Sequence, residues 1–362
     1  MKIVCDRAEL TEALRMATLA IPQRTPRPIL QSAKIVAGPQ GAEVLATDIE
    51  VAMRARIGKC DTEAAGEAMI PAGKALDIVR SFESEKVSIS CEDRITTFSG
   101  DGSRFKVCGE DPADFPTVPA FDAAGSIAFV AGELRTMIDR TAFSAGDEGS
   151  RYALNGVLFD LKDGRLRLVA TDGKRLAATE KAVTTTHEAV ASVVPSKGMR
   201  MLSRLDDGAS AVSVRFAAGR MSAASGAASI SALLVTGSFP PYEGVIPKDH
   251  PHKIEIQAAA FLAALKRASI LTSKTSNAIR MDLAANQLRL SSRSPSEGEA
   301  EIVVPIVWAG DPVRVSLDIR FLTDIASAIS GERLAMHLKG PGDPALFIEG
   351  GASWVVMPIS EA

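Results

Sequence analysis

The chain has few of the residues that metal, redox or membrane chemistry requires. Cys5, Cys60, Cys91 and Cys108 are scattered singly among 362 residues, without the paired spacing of a zinc site or redox motif. They are expected to be reduced, partly buried thiols. Of four histidines, His250 and His252 lie in a proline-rich stretch that reads as a solvated loop. Aromatic residues make up only 5%, and no apolar run is long enough to cross a bilayer, so the expectation is a globular chain without membrane contact. Met1-Lys2-Ile3-Val4-Cys5-Asp6 turns acidic at once and lacks an apolar core, which argues against a signal peptide and for a cytoplasmic protein. Gly73-Lys74 is followed by Ala75 and no glycine stands five residues before Gly73, so no phosphate-binding loop is present. No Gly-x-Ser-x-Gly elbow occurs either. These absences point to a protein with no catalytic residues, metal site or cofactor of its own.

What is present is repetition. Three times a short strand leads into a helix with apolar residues at helical spacing: Leu10, Ala13, Leu14 and Ala17; Leu134, Met137 and Ile138; Phe261, Ala264, Leu265 and Ala268. Each helix is followed by three predicted strands. They cover 31–36, 43–46 and 50–57 in the first copy, 154–161, 165–170 and 175–183 in the second, and 278–283, 287–291 and 299–306 in the third. The pattern recurs inside each copy, with second helices carrying Ala75, Ile78, Val79 and Phe82, then Met199, Leu202 and Leu205, then Ile319, Leu322 and Ile325. Six strand-helix-three-strand units, paired into three domains of an α+β fold, account for the whole length. Residues 109–125, with four acids and three prolines, and 239–252, with four prolines, read as linkers.

Charge is sorted by element. The chain carries −3, yet the six predicted helices sum to +4 and the remainder to −7. Residues 196–205 hold Lys197, Arg200 and Arg204 without an acid. A weakly positive helical layer on an acidic body fits a polyanion held nearby rather than gripped.

Several stretches carry a family resemblance: Thr25-Pro26-Arg27-Pro28-Ile29-Leu30, Leu154-Asn155-Gly156, Ala170-Thr171-Asp172-Gly173-Lys174-Arg175-Leu176, Phe239-Pro240 and Val355-Val356-Met357-Pro358. In order, from Met1 to Ile359, the chain resembles the bacterial sliding clamps, the DNA polymerase III beta subunits. The resemblance implies three repeated domains of DNA-clamp topology, at 1–122, 123–250 and 251–362. Two chains would close head to tail into a homodimeric ring around duplex DNA, with the helices lining the hole. The function implied is a non-enzymatic processivity factor. It would tether the replicative polymerase, and receive the clamp loader and repair proteins, through linear peptide motifs.

By position in the family, Arg24, Tyr152 and Lys197 are expected to touch DNA, and the helix reading adds Arg80, Arg200 and Arg204. Glu148 stands where other members have a neutral amide. The partner pocket is expected at Leu154, Thr171, Gly173, Lys174, Arg175, Leu176, Pro240, Val245, Val356, Met357 and Pro358, with Arg175 available to fix the peptide. Lys174 replaces a usual histidine, Gly244 a common arginine, and the tail runs on through Ser360-Glu361-Ala362. For the ring joint, Phe105 and Val107 are expected to meet Ile270 and Leu271. Read without the family, Leu154, Leu176 and Val356 are ordinary core residues, and Thr47-Asp48 and Thr171-Asp172 are repeated turns whose aspartates bond nearby amides. A paralogue serving repair is the alternative function. A repeat-sheet hydrolase using Asp48 and Asp172 is a remote one, since no further carboxylates or histidines converge with them.

Overall fold

The computed structural model describes residues 1–146, 153–184, 189–205, 211–272, 277–294 and 298–359. It contains six strand-helix-three-strand units in succession. The first comprises β1 (Lys2–Asp6), α1 (Arg7–Ala20), β2 (Ser32–Gly38), β3 (Gly41–Thr47) and β4 (Val51–Ile57), followed by one additional strand, β5 (Cys60–Ala64). The second has β6 (Gly66–Pro71), α2 (Ala72–Ser81), β7 (Lys86–Glu92), β8 (Ile95–Gly100) and β9 (Ser103–Cys108). The third has β10 (Ile127–Val130), α3 (Ala131–Asp139), β11 (Gly156–Lys162), β12 (Arg165–Thr171) and β13 (Arg175–Ala182). The fourth has β14 (Val190–Pro195), α4 (Ser196–Leu202), β15 (Ala211–Ala217), β16 (Arg220–Ser225) and β17 (Ala228–Leu233). The fifth has β18 (His252–Gln257), α5 (Ala258–Ala268), β19 (Ala278–Ala284), β20 (Gln287–Ser294) and β21 (Gly298–Pro305). The last has β22 (Val313–Asp318), α6 (Ile319–Ala328), β23 (Arg333–Leu338), β24 (Ala345–Glu349) and β25 (Ala352–Val356).

The units are paired by exchange of their leading strands. β1 hydrogen-bonds to β7 of the second unit, and β6 returns to β2 of the first. β10 pairs with β15 and β14 with β11; β18 pairs with β23 and β22 with β19. A unit therefore cannot complete its sheet without its neighbour, which makes the pair the folding module. The hairpins turn at positive φ, Asp163-Gly164 at 51° and 68° and Ala285-Asn286 at 50° and 61°, a region in which aspartate, glycine and asparagine are the favoured residues. Helix α1 begins at Asp6, whose side chain accepts from Glu9 N at 2.9 Å. It buries Leu10, Ala13, Leu14 and Ala17 against the sheets, as its spacing predicts. α4 is shorter than its apolar pattern: helix ends at Leu202, and a tighter turn carries Arg204 and Leu205.

The chain forms two compact units. One comprises Met1–Thr136 and Lys197–Leu234, the other Met137–Ser196 and Val235–Ala362. The first holds a five-stranded sheet, β5-β1-β7-β8-β9, and an eight-stranded sheet, β10-β15-β16-β17-β4-β3-β2-β6. The second holds an eight-stranded sheet, β14-β11-β12-β13-β25-β24-β23-β18, and a four-stranded one, β21-β20-β19-β22. Each eight-stranded sheet is two meanders joined by the last strands of two units, β4 with β17 and β13 with β25, both antiparallel. The last strands β9 and β21 remain as sheet edges.

Two elements depart from expectation. β5 was not predicted because it is a mostly exposed edge strand and its residues, Cys60-Asp61-Thr62-Glu63-Ala64, carry no apolar alternation. His250 is no solvated residue: it is buried, with Nε2 at 2.7 Å from Pro344 O, and the His252 ring packs edge-on against Trp308 at 5.4 Å. A carbonyl partner makes the burial of His250 affordable and an aromatic neighbour half-covers His252, neither of which spacing in a proline-rich stretch reveals.

Cys5 is buried opposite Cys60 across β1 and β5, and burial pushes its thiol up to about 12, whereas Cys108 is exposed. At pH 8 Ellman's reagent should therefore modify Cys108 in the native protein and leave Cys5 untouched until denaturant is added. Fast modification of Cys5 in the folded protein would contradict this packing.

Candidate peptide-binding groove

The candidate groove is assembled in the second compact unit, where the β12–β13 turn, the loop after residue 238 and the end of β25 come together. In the turn, Thr171 Oγ1 donates to Arg175 O at 2.6 Å and accepts from Gly173 N at 3.1 Å. Asp172 Oδ1 accepts from both Lys174 N and Arg175 N at 2.9 Å. Gly173 has φ of 85°, a conformation that favours glycine. The sequence reading of Asp172 as a turn residue agrees with this geometry, and no carboxylate cluster able to hold a metal forms among the described residues.

β25 then pairs with β13, Leu176 opposite Val355 and Arg175 opposite Val356, and the strand end is extended by Met357 N donating to Lys174 O at 2.9 Å. Leu176 and Val355 form an apolar floor with Val169 and Leu346, against which Phe239, Tyr242 and Ile246 pack. The Phe239 and Tyr242 rings meet edge-on at 6.2 Å. Leu154 and Pro240 are half-buried, Lys174 is exposed, and Val245 and Met357 expose 46% and 41% of their surfaces. An apolar floor, with one exposed apolar residue in the loop that packs on it and another just past the end of β25, is suited to leucine or phenylalanine anchors.

Two expected pocket residues have other roles in the structure. Val356 is fully buried in the opposite core with Trp354 and Phe261. Successive strand residues face opposite sides, so Val355, not Val356, belongs to the groove floor. Arg175 is not available to a peptide: its Nε donates to Asp172 at 3.0 Å, one terminal nitrogen to Asp324 at 2.6 Å and the other to Phe143 O at 2.6 Å. Its guanidinium also lies 4.3 Å from the Phe321 ring centroid, so it fixes the turn from beneath. Sequence reasoning missed Val355 and the supporting Phe239, Tyr242 and Leu346. Strand alternation, counted back from exposed Met357, was the signal that could have found Val355.

Of the expected DNA contacts, Arg24, Arg80, Arg200 and Arg204 are exposed, all in the first compact unit, and Tyr152 and Glu148 lie outside the described residues. Lys197 is engaged internally: Nζ donates to Asp48 Oδ2 at 2.5 Å and Ala20 O at 2.6 Å. An ammonium with two close acceptors is a staple between α4 and the β3–β4 turn rather than a free phosphate ligand. Of the expected joint residues, Phe105 exposes 39% of its surface on edge strand β9 and Ile270 71% just after α5, while Val107 and Leu271 are half-buried. Phe105 stacks edge-on with Phe82 at 5.7 Å.

Comparison with known proteins accounts for nearly the whole chain. Residues 1–119, 130–241 and 243–359 match the N-terminal, central and C-terminal domains of the DNA polymerase III beta subunit. The beta sliding clamp of Pseudomonas putida is 29% identical over 365 residues, covering 99% of this chain and 100% of that protein. That of Escherichia coli K12 is 28% identical over 366 residues with the same coverage. The crystal structure of the beta subunit from Pseudomonas aeruginosa superposes with a TM-score of 0.86 at 28% identity, over 99% of this chain and all of that one. The griselimycin-bound clamp of Bartonella birtlesii gives 0.88 at 25% identity over the full length of both. The chain belongs to the DNA polymerase III beta subunit family, the bacterial sliding clamps, and is a non-catalytic processivity subunit.

Proposed function

We propose that two copies of this chain close into a ring on duplex DNA in the cytoplasm and that the Met357 groove receives linear peptides of the polymerase, clamp loader and repair proteins. The observation that carries the groove is the apolar floor of Leu176 and Val355, with exposed Met357 just past the end of β25 and exposed Val245 in the loop whose Phe239, Tyr242 and Ile246 pack on that floor. Relatives from P. aeruginosa and B. birtlesii have been crystallised with griselimycin, and this groove is its proposed seat here. A clamp acts by topology: a ring that cannot leave DNA keeps a weakly held polymerase at high effective concentration. Exposed Arg24, Arg80, Arg200 and Arg204 supply weak, screened attraction to phosphates, and tighter contacts would hinder sliding.

Ring closure is supported by the unpaired strands. Among the joints of this chain, a last strand always pairs with another last strand, β4 with β17 and β13 with β25. The remaining two, β9 and β21, would complete the rule across two copies, twice, by a two-fold rotation. Their side chains are complementary. β9 alternates Arg104 and Lys106 with Phe105 and Val107, whereas β21 alternates Glu299 and Glu301 with Ala300 and Ile302. Pairing would place bases opposite acids on one face, and Phe105 and Val107 beside Ile270 and Leu271 on the other. The division into three strand-exchanged pairs supports domain limits at 1–122, 123–250 and 251–362.

Two experiments bear on this reading. Titration calorimetry with griselimycin should show binding to the native chain and at least tenfold loss in Met357→Glu, with sedimentation still reporting a dimer. Undiminished affinity would remove Met357 from the groove. Ile270→Asp should yield monomers, because it puts an unpaired charge into an apolar contact, and the double charge reversal Arg104→Glu with Lys106→Glu should weaken the dimer. Adding Glu299→Lys and Glu301→Lys to that reversal should restore it. A dimer indifferent to all of these changes would exclude the β9–β21 joint.

A further inference from the structure

The groove has a structural counterpart at the other strand joint, wholly within the first compact unit. Thr47 and Thr171, Phe115 and Phe239, and Leu233 and Met357 are each 124 residues apart, so the two sites are repeats of one design. The β3–β4 turn repeats three of the four bonds of the groove turn. Thr47 Oγ1 donates to Val51 O at 2.8 Å and accepts from Ile49 N at 2.9 Å, and Val51 N donates to Asp48 Oδ1 at 2.7 Å. The strand end is held in the same way, with Leu233 N donating to Glu50 O at 2.9 Å where Met357 N donates to Lys174 O. A cover loop is present too: Phe115 and Val118 pack on Leu45 and Ala52 as Phe239 and Tyr242 pack on Val169 and Leu176.

Two observations set this face apart from a decayed copy. Leu233 and its neighbour Ile49 expose 39% and 46% of their surfaces, as Met357 does at the first groove. Ile49 also occupies the position of Gly173 with φ of 88°. A β-branched residue at positive φ is a conformational outlier, and here it holds an apolar side chain in solvent where glycine would fit without strain. Packing gains nothing from that choice.

We propose that the Ile49–Leu233 face is a second peptide-docking site, taking an extended partner segment that carries an apolar anchor beside a lysine or arginine. The charge follows from the residues around Leu233. Asp48 is paired with Lys197; Arg220, in register with Leu233, keeps its charge but is drawn back toward Ser231 Oγ at 3.3 Å, whereas Glu50 stands at the strand end itself, its carbonyl accepting from Leu233 N. Glu50 is an exposed carboxylate with no ion pair among the described residues, in the position where the first groove has Lys174. The two sites therefore prefer segments of opposite charge, which allows two partners on one chain without competition. This rests on reading the Met357 groove as a peptide site.

The test uses the full-length Met357→Glu protein, so that the first groove is disabled, as target for a displayed library of random decapeptides. Enriched peptides carrying a basic residue next to an apolar one are expected, with affinity falling at least tenfold in Leu233→Asp and in Glu50→Lys. Ile49→Gly discriminates further: it should lower peptide affinity at least tenfold while the melting temperature stays unchanged or rises, since it removes an exposed, strained side chain. No enrichment, or peptides insensitive to Leu233→Asp and Ile49→Gly, would overturn the proposal. Griselimycin titration of the native chain in parallel separates the two readings. Binding there with no library enrichment refutes the second site alone, whereas no binding refutes the reading of the first groove and with it the ground for this one.

Discussion

The pairing of one unit's last strand with another's is the constraint on which the rest of the molecule depends. A sheet edge exposes a row of unsatisfied amides and carbonyls, and this chain covers such edges by joining meanders end to end. β4 meets β17 and β13 meets β25. Each joint brings a turn from one meander beside the terminus of another, and the apolar patch beside it is covered by a loop containing Phe-Pro. The proposed grooves are thus by-products of the joints, one at each place where two last strands of this chain meet. The remaining edges, β9 and β21, carry the same logic into the proposed dimer.

Polar staples hold the joint turns. In the second compact unit Arg175 is held by Asp172, Asp324 and the carbonyl of Phe143, between two phenylalanine rings. In the first, Val51 stands at the corresponding position and the turn aspartate is held instead by Lys197 from α4. Different residues answer the same need, to keep a positive-φ turn rigid beside an apolar floor. A cation drawn into such a network is lost to ligand binding, which is why Arg175 and Lys197 position the site and do not present themselves to a peptide or to phosphate.

Much of the architecture was legible in the sequence because helix and strand periods repeat. The helix faces at Leu10, Leu134 and Phe261, the hairpin turns at Asp163-Gly164 and Ala285-Asn286, and the aspartate turns all stand where the pattern puts them. β5 was hidden because an exposed edge strand needs no alternation. The site was less legible. Val355 and Val356 are the same residue type in adjacent positions, and only their sheet register tells which faces the groove. Hydrogen-bond partners such as Asp324 for Arg175 lie 149 residues away, beyond the reach of any local pattern.

The central claim is that the chain holds DNA by enclosure. The direct measurement is retention on nicked circular DNA after loading with an ATP-driven clamp loader, repeated after a single-site nuclease has linearised the circle. Retention on the circle at high salt, and loss within minutes of cutting, is the result that enclosure predicts. Equal retention on circular and linear DNA would contradict it and would mean that exposed bases such as Arg24, Arg80, Arg200 and Arg204 hold the DNA by ordinary attraction.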